Sequence, residues 1–274
     1  MGLLSPEPER PIIGEWNHLE ASVGARGMGK STEQCVRARQ LQTEAHGAYV
    51  IGHSLGARLP TKPPPGVGGP EYPITYHTSL DKLERGLRRH PGRWHILSPP
   101  LAGDGHKVDP TRKPETADDL LHFAMRLSTG IRRKAWETAN PFRRWKPNVS
   151  YHGIECVPII VIIDEGIAID AASTTKKEAN KWFLSFIYSI RHLHIAMLYA
   201  IQNSNARSWQ ILEQSTVIKV FAIHHEWALN ALRAAGATEE QLEGIKTQGK
   251  YKFVPLTALD VKTLEVKSED KVPE

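Results

Sequence analysis

Only two cysteines, Cys35 and Cys156, occur in the 274 residues, and neither belongs to a C-x-x-C pair. A disulfide framework and a cysteine-rich zinc module are both excluded, and the usage suits a reducing compartment. Long apolar runs are missing too. The longest, Val157–Ile163, reaches seven residues before Asp164, against the roughly 20 that a membrane-crossing helix needs. The N-terminal MGLLSPEPERP meets Pro and Glu before any apolar stretch develops, so no secretory leader is expected. No repeat recurs at the periods of roughly 20–50 residues that mark solenoids and propellers. Charge of one sign is scarce as well: the net balance is +5, which is compatible with a polyanionic partner but identifies none. With 40% apolar and 24% charged residues, neither a disordered nor a collagen-like chain fits.

What the chain does have is alternation. Short β-rich runs are read at Leu19–Val23, Ala48–Gly52, Arg93–Leu97, Val157–Ile163, Ile195–Ile201 and Val217–Ile223. Helical periodicity is read at Lys30–Ala45, Leu80–Arg89, Ala117–Thr138, Thr175–Leu193, Ser208–Gln214 and Glu226–Ala235. This order predicts an α/β fold with a central, mostly parallel sheet flanked by helices. The run VPIIVIID is apolar at every alternate position on both faces, as expected of a central strand covered on each side. LPTKPPPGVGGPEYP, residues 59–73, holds six prolines and three glycines and reads as a loop excursion. A single domain over 19–265 is expected, after an extension at 1–18 and before a charged tail at 266–274.

The most specific motif is Gly24-Ala25-Arg26-Gly27-Met28-Gly29-Lys30-Ser31, a full match to G-x-x-x-x-G-K-[ST] between a predicted strand and a predicted helix. In such a loop backbone N–H groups turn inward toward phosphate oxygens, and the helix behind presents its positive dipole end. Lys30 would place its charge on the β and γ phosphates of ATP. The Ser31 hydroxyl would ligate Mg²⁺, and Thr32 would reach the α phosphate. A phosphate cradle needs a carboxylate for the metal, and IIVIIDE supplies Asp164 for magnesium and Glu165 to polarise the attacking water. Taken alone, an acid after an apolar strand is a common strand end. The next apolar run, MLYAIQN, ends in Gln202, a candidate sensor of the γ phosphate that would otherwise be a simple strand cap.

From Arg126 to Lys146 seven cations face one acid, Glu137, giving +6 in 21 residues, with Trp136 and Trp145 interleaved. Arg132, Arg133, Lys134, Arg143 and Arg144 are the candidate contacts to a nucleic-acid backbone, which would be bound in a sequence-independent, salt-sensitive way. The alternative is a solvated helix face with the tryptophans turned inward. His192, His194, His224 and His225 have no carboxylate or thiol at ligand spacing and are read as ordinary residues.

Taken together, GARGMGKST, IIVIIDE and the segment WFLSFIYSIRHLHIAMLYAIQ resemble the HerA/FtsK superfamily of hexameric motor ATPases. VIKVFAIHHEWALNALRAAGA looks like that family's following strand, helix and turn, and YKFV like its closing strand. The resemblance spans Leu19 to Val254, with residues 55–148 matching nothing specific. Within the superfamily the chain is most similar to the genome-packaging ATPases of membrane-containing viruses. It implies a P-loop ATPase that moves double-stranded DNA through a homo-oligomeric ring, a hexamer in the family. Capsid or membrane proteins at a packaging vertex become expected partners, and the host cytoplasm or the virion the expected location. Where cellular translocases of this kind show Phe-Arg-Val, this chain has Phe221-Ala222-Ile223. The arginine acting across subunits must then come from elsewhere, with Arg191 and Arg207 as candidates. Two other readings stay open: a filamentous-phage-type assembly or secretion ATPase, and a P-loop switch or kinase that moves no DNA.

Overall fold

Helix and strand alternate through the chain in the computed structural model, which describes residues 18–25, 27–45, 48–54, 59–98, 115–139, 158–164, 176–201, 211–212, 214–224, 226–234 and 236–256. The strands are β1 (Leu19–Val23), β2 (Tyr49–Ser54), β3 (Ile74–His77), β4 (Trp94–Leu97), β5 (Ile159–Asp164), β6 (Ile195–Ile201), β7 (Val217–Val220) and β8 (Val254–Leu256). The helices are α1 (Lys30–Glu44), α2 (Leu80–Arg89), α3 (Ala117–Ala139), α4 (Lys176–Ser189), α5 (Glu226–Ala234) and α6 (Glu239–Thr247). The strands form one eight-stranded sheet in the order β3-β4-β2-β5-β6-β1-β7-β8. Every pairing is parallel except β7 with β8.

The two-residue period of a strand explains the layers. Every residue of β5 is buried. Ile160 and Ile162 join Cys35, Ala38 and Leu41 of α1 in one apolar cluster. Ile159, Val161 and Ile163 join Leu120, Leu121 and Ala124 of α3 and Phe183, Phe186 and Ile187 of α4 in the other. A strand apolar on both faces is thus covered on both, which is why VPIIVIID carries no polar residue before its end.

The predicted helix over 175–193 stops at Ser189. A 3₁₀ turn, Ile190–His192, follows, and His194 takes a left-handed conformation (φ 52°) that redirects the chain into β6. Two elements went unanticipated. β3 has only four residues, all half-buried, at the sheet's edge and directly after the proline-rich excursion. α6 opens with a capping box in which Thr238 Oγ1 accepts from the Gln241 N–H and the Gln241 side chain accepts from the Thr238 N–H. The excursion at 59–73 carries no helix or strand, yet it is anchored. Leu59 and Tyr72 are buried, and Tyr72 stacks on Trp94 at 4.8 Å between ring centroids.

Candidate active site

β1 delivers the glycine-rich loop at its C-terminal end. Gly24 has φ 148°, and a Cβ there would lie 2.7 Å from the Phe221 Cβ. The Phe221 N–H donates to the Val23 carbonyl (2.8 Å) and the Ala25 N–H to the Ala222 carbonyl (3.3 Å). The chain leaving β7 therefore packs directly on the start of the loop. At the other end Gly29, the N-cap of α1, has φ 104°, and a Cβ would meet the Tyr251 ring at 2.5 Å. The Tyr251 N–H donates to the Met28 carbonyl at 2.9 Å. Both positions admit only glycine, for backbone angle and for space.

Lys30 begins α1 yet is only 5% exposed. Its side chain folds back across the loop, and Nζ donates to the carbonyls of Gly24 (2.7 Å) and Ala25 (2.8 Å). An ammonium is thereby held over a loop at a helix N-terminus, where the dipole favours an anion.

One residue later, the Ser31 hydroxyl donates to Asp164 Oδ1 at 2.7 Å. Strand periodicity sets this up. Asp164 follows Ile160 and Ile162 on the face of β5 that packs against α1, so its carboxylate emerges opposite the helix's first turn. Ser54 stands level with Asp164 in the β2–β5 register, and its hydroxyl reaches Oδ2 at 3.4 Å. Gln34, three residues on from Ser31, donates to the carbonyls of Ile163 (3.1 Å) and Leu198 (3.0 Å), fastening α1 to β5 and β6. Burial pushes the Cys35 thiol well above its ordinary pKa, with the Asp164 charge adding to the effect, so Cys35 stays a neutral filler.

This donor set fits a nucleoside triphosphate and a hard divalent cation. The cradle is built where a Cβ would clash, the ammonium sits over it, and a hydroxyl and a carboxylate stand together at its rim. Among the described residues no group of three or more His, Cys, Asp or Glu is placed to hold a metal, so the carboxylate of Asp164 with the Ser31 hydroxyl is the donor pair at this site. Of the sequence candidates, Gly24, Ala25, Gly27, Met28, Gly29, Lys30, Ser31, Thr32 and Asp164 lie in the loop after β1, the first turn of α1 and the C-terminal end of β5. Arg132, Arg133 and Lys134 belong to α3, and Arg191 to the 3₁₀ turn before β6. Arg26, Arg143, Arg144, Glu165, Gln202 and Arg207 lie outside the described residues. Ser54, Gln34 and Tyr251 were not anticipated. Gln34 had a legible signal, its place one turn beyond Ser31, whereas Ser54 and Tyr251 meet the loop only through tertiary structure.

No protein-family model matches the chain, and no curated protein sequence matches it. Solved structures are similar over most of its length. The genome packaging NTPase B204 from Sulfolobus turreted icosahedral virus 2, in complex with ATP-γS, is 12% identical with a TM-score of 0.49. That match covers 89% of this chain and 93% of that one. EssC (ATPases 2 and 3) from Geobacillus thermodenitrificans is 12% identical with a TM-score of 0.47, covering 94% of this chain and 43% of that one. The pCW3 conjugation coupling protein TcpA, with ATP-γS, is 13% identical with a TM-score of 0.41, covering 94% and 66%. Among the described residues no helix is long and apolar enough to cross a membrane.

Proposed function

We propose that this chain is a magnesium-dependent ATPase that drives double-stranded DNA through a homo-oligomeric ring, as a viral genome-packaging motor does. The observation that supports the nucleotide half is the 2.7 Å hydrogen bond from Ser31 to Asp164, which joins motifs 133 positions apart at the rim of a loop already carrying a buried ammonium. In this reading the loop N–H groups and Lys30 bind the β and γ phosphates, exchanging the Gly24 and Ala25 carbonyls for stronger anionic partners. Magnesium, when bound, supplies positive charge to the phosphate oxygens, and Ser31 and Asp164 would hold it. Ser54 keeps the Asp164 carboxylate oriented. Glu165 takes the proton of the attacking water, Gln202 senses the γ phosphate, and Arg191 or Arg207 of a neighbouring subunit offsets the charge that develops in transfer.

The DNA half rests on residues 126–146, whose +6 charge exceeds that of the whole chain. Arg132, Arg133, Lys134, Arg143 and Arg144 bind backbone phosphates, which a motor reading no sequence requires and which suffices for it. One ATPase domain over 19–265, working in the host cytoplasm or on the virion and docking on capsid or membrane proteins, completes the reading. The test is ATP turnover with and without long duplex DNA, in the parent and in the fourfold Arg132, Arg133, Arg143, Arg144→Gln variant. Stimulation by DNA, with a salt dependence of DNA affinity that flattens in the variant, is expected. Turnover indifferent to DNA would leave a P-loop switch or kinase as the better reading.

A further inference from the structure

At the edge of the sheet farthest from β8, α2 packs over β3 and β4 and leaves a cavity of about 360 Å³. Its walls are Thr75 and His77 of β3, His95 of β4, Lys82, Arg85, Gly86 and Arg89 of α2, and His90 just beyond that helix. Among the described residues no carboxylate lines it. The spacing explains the charge: positions 82, 85, 86 and 89 share one face of the helix, while Glu84 is drawn away to Arg88. Lys82 Nζ donates to the Thr78 hydroxyl (2.9 Å) and Arg85 Nε to the Asp81 carbonyl (3.2 Å). Among the described residues no carboxylate lies within ion-pairing distance of Lys82, Arg85 or Arg89.

The floor of the cavity is a directed histidine pair. His95 Nε2 lies 2.9 Å from the His90 carbonyl, which can only accept, so Nε2 carries the hydrogen. Burial lowers the His95 pKa against the opposing pull of the His90 carbonyl, with the Arg93 and His90 charges adding to the fall, so the ring is neutral and its Nδ1 is an acceptor. His77 Nε2 lies 2.9 Å from that Nδ1 and must therefore donate. Burial, then His95 and Lys82, push His77 down to about 4, which leaves its Nδ1 as a lone pair. Gly86 makes this packing possible, because a Cβ there would lie 2.6 Å from His77 Cε1 and 2.9 Å from His95 Nδ1.

From this geometry we propose that the α2–β3–β4 cavity is a binding site for a phosphate oxyanion, separate from the glycine-rich loop and held by Lys82, Arg85 and Arg89. Three cations line a concavity whose other described lining residues are neutral, and two guanidiniums offer the fork geometry that phosphate oxygens accept. The ligand is either a backbone phosphodiester of nucleic acid or a free phosphate group. The site does not depend on the loop being an ATPase centre.

Isothermal titration of inorganic phosphate into the full chain, with the glycine-rich loop saturated by magnesium and a nonhydrolysable ATP analogue, tests this. Saturable binding is expected, weakened at least about tenfold in the Arg85→Gln, Arg89→Gln double variant. Those residues are exposed, so the variant should fold, and an unchanged melting temperature checks it. Competition by a short DNA duplex would assign the site to a backbone phosphodiester, and phosphate binding that duplex leaves untouched would assign it to free phosphate. Absence of saturable binding, or equal affinity in the double variant, would overturn the proposal.

Discussion

Two lysines are buried among the described residues, and they are buried differently. Lys30, 5% exposed, rests on two carbonyl oxygens of its own loop. Lys219, 8% exposed, lies between two carboxylates, Glu20 Oε2 at 2.9 Å and Glu33 Oε1 at 2.7 Å. Arg37 closes the second arrangement from the other side, its Nε 2.6 Å from Glu20 Oε1 and a second nitrogen 3.5 Å from Glu44. Burial alone would raise the Glu20 pKa, but Lys219 and Arg37 outweigh it and hold the carboxyl below its ordinary value. The network ties β1, β7 and α1 together beneath the loop. Its charges satisfy one another, so it has reason to stay as it is. The loop lysine donates to two loop carbonyls, neutral dipoles that an anion would outcompete. On the function proposed above, Lys219 serves structure and Lys30 chemistry, and substitution should separate the two roles.

The largest effect is expected from exchanging the two sites' fates. Lys30→Ala should lower ATP turnover by about 10³-fold or more, as loss of a preorganised charge at a reacting phosphate does, while urea unfolding shifts little. Lys219→Met should do the opposite. Removing one partner of a buried ion network costs about 3–5 kcal/mol of stability, with turnover per folded molecule within a few-fold of the parent. A Lys219 variant that is folded yet inactive would merge the two regions into one site.

A smaller effect is expected at Gly29. Gly29→Ala forces a side chain into a left-handed backbone position, at about 1–3 kcal/mol, and into the Tyr251 ring 2.5 Å away. Adding Tyr251→Ala should recover the steric part of the loss but not the backbone part, read as two steps in urea midpoint. Full recovery would mean that the ring alone demands glycine.

The smallest effect is in pH. His53 is fully buried, and burial pushes it down to about 4, against the opposing pull of the Glu115 backbone and Asp119. His77 is likewise pushed to about 4. An unfolded chain protonates these rings near 6.5, so stability is complete above that pH and falls as pH drops from about 6.5 toward 4. Glu20 acts in the same direction at lower pH. Its contribution is present above the ordinary carboxyl value and disappears as pH falls through the depressed one. Urea midpoints across pH 3–8 should show both losses, with the lower one reduced in Lys219→Met.

Much of the fold was legible in sequence because the relevant signals are local. The helix spacing of α2 and the two-faced apolar run of β5 each announce their element within a dozen residues. β3 was not legible, since four residues after a proline-rich stretch carry too little periodicity, and their strand character comes from pairing with β4. α6 was legible in principle, through Thr238 and Gln241, but its nine residues are weakly amphipathic. At the candidate site the loop glycines, Lys30, Ser31 and Asp164 could be named from motif alone. Ser54 could not, because only the β2–β5 register sets it level with Asp164.

The sequence by itself determined the identity of the glycine-rich loop, the strand before it, the helix after it and the acid-ended strand that answers it, since each depends on residues adjacent in the chain. Only the tertiary structure decided where the unusual charges go. Glu20 in LEASV and Lys219 in VIKV would both read as solvent-facing strand positions. They are instead buried against each other across nearly 200 residues of chain, because the sheet places β7 beside β1 and α1 covers both. Burial and ionic pairing are properties of neighbours in space, and no local pattern encodes them.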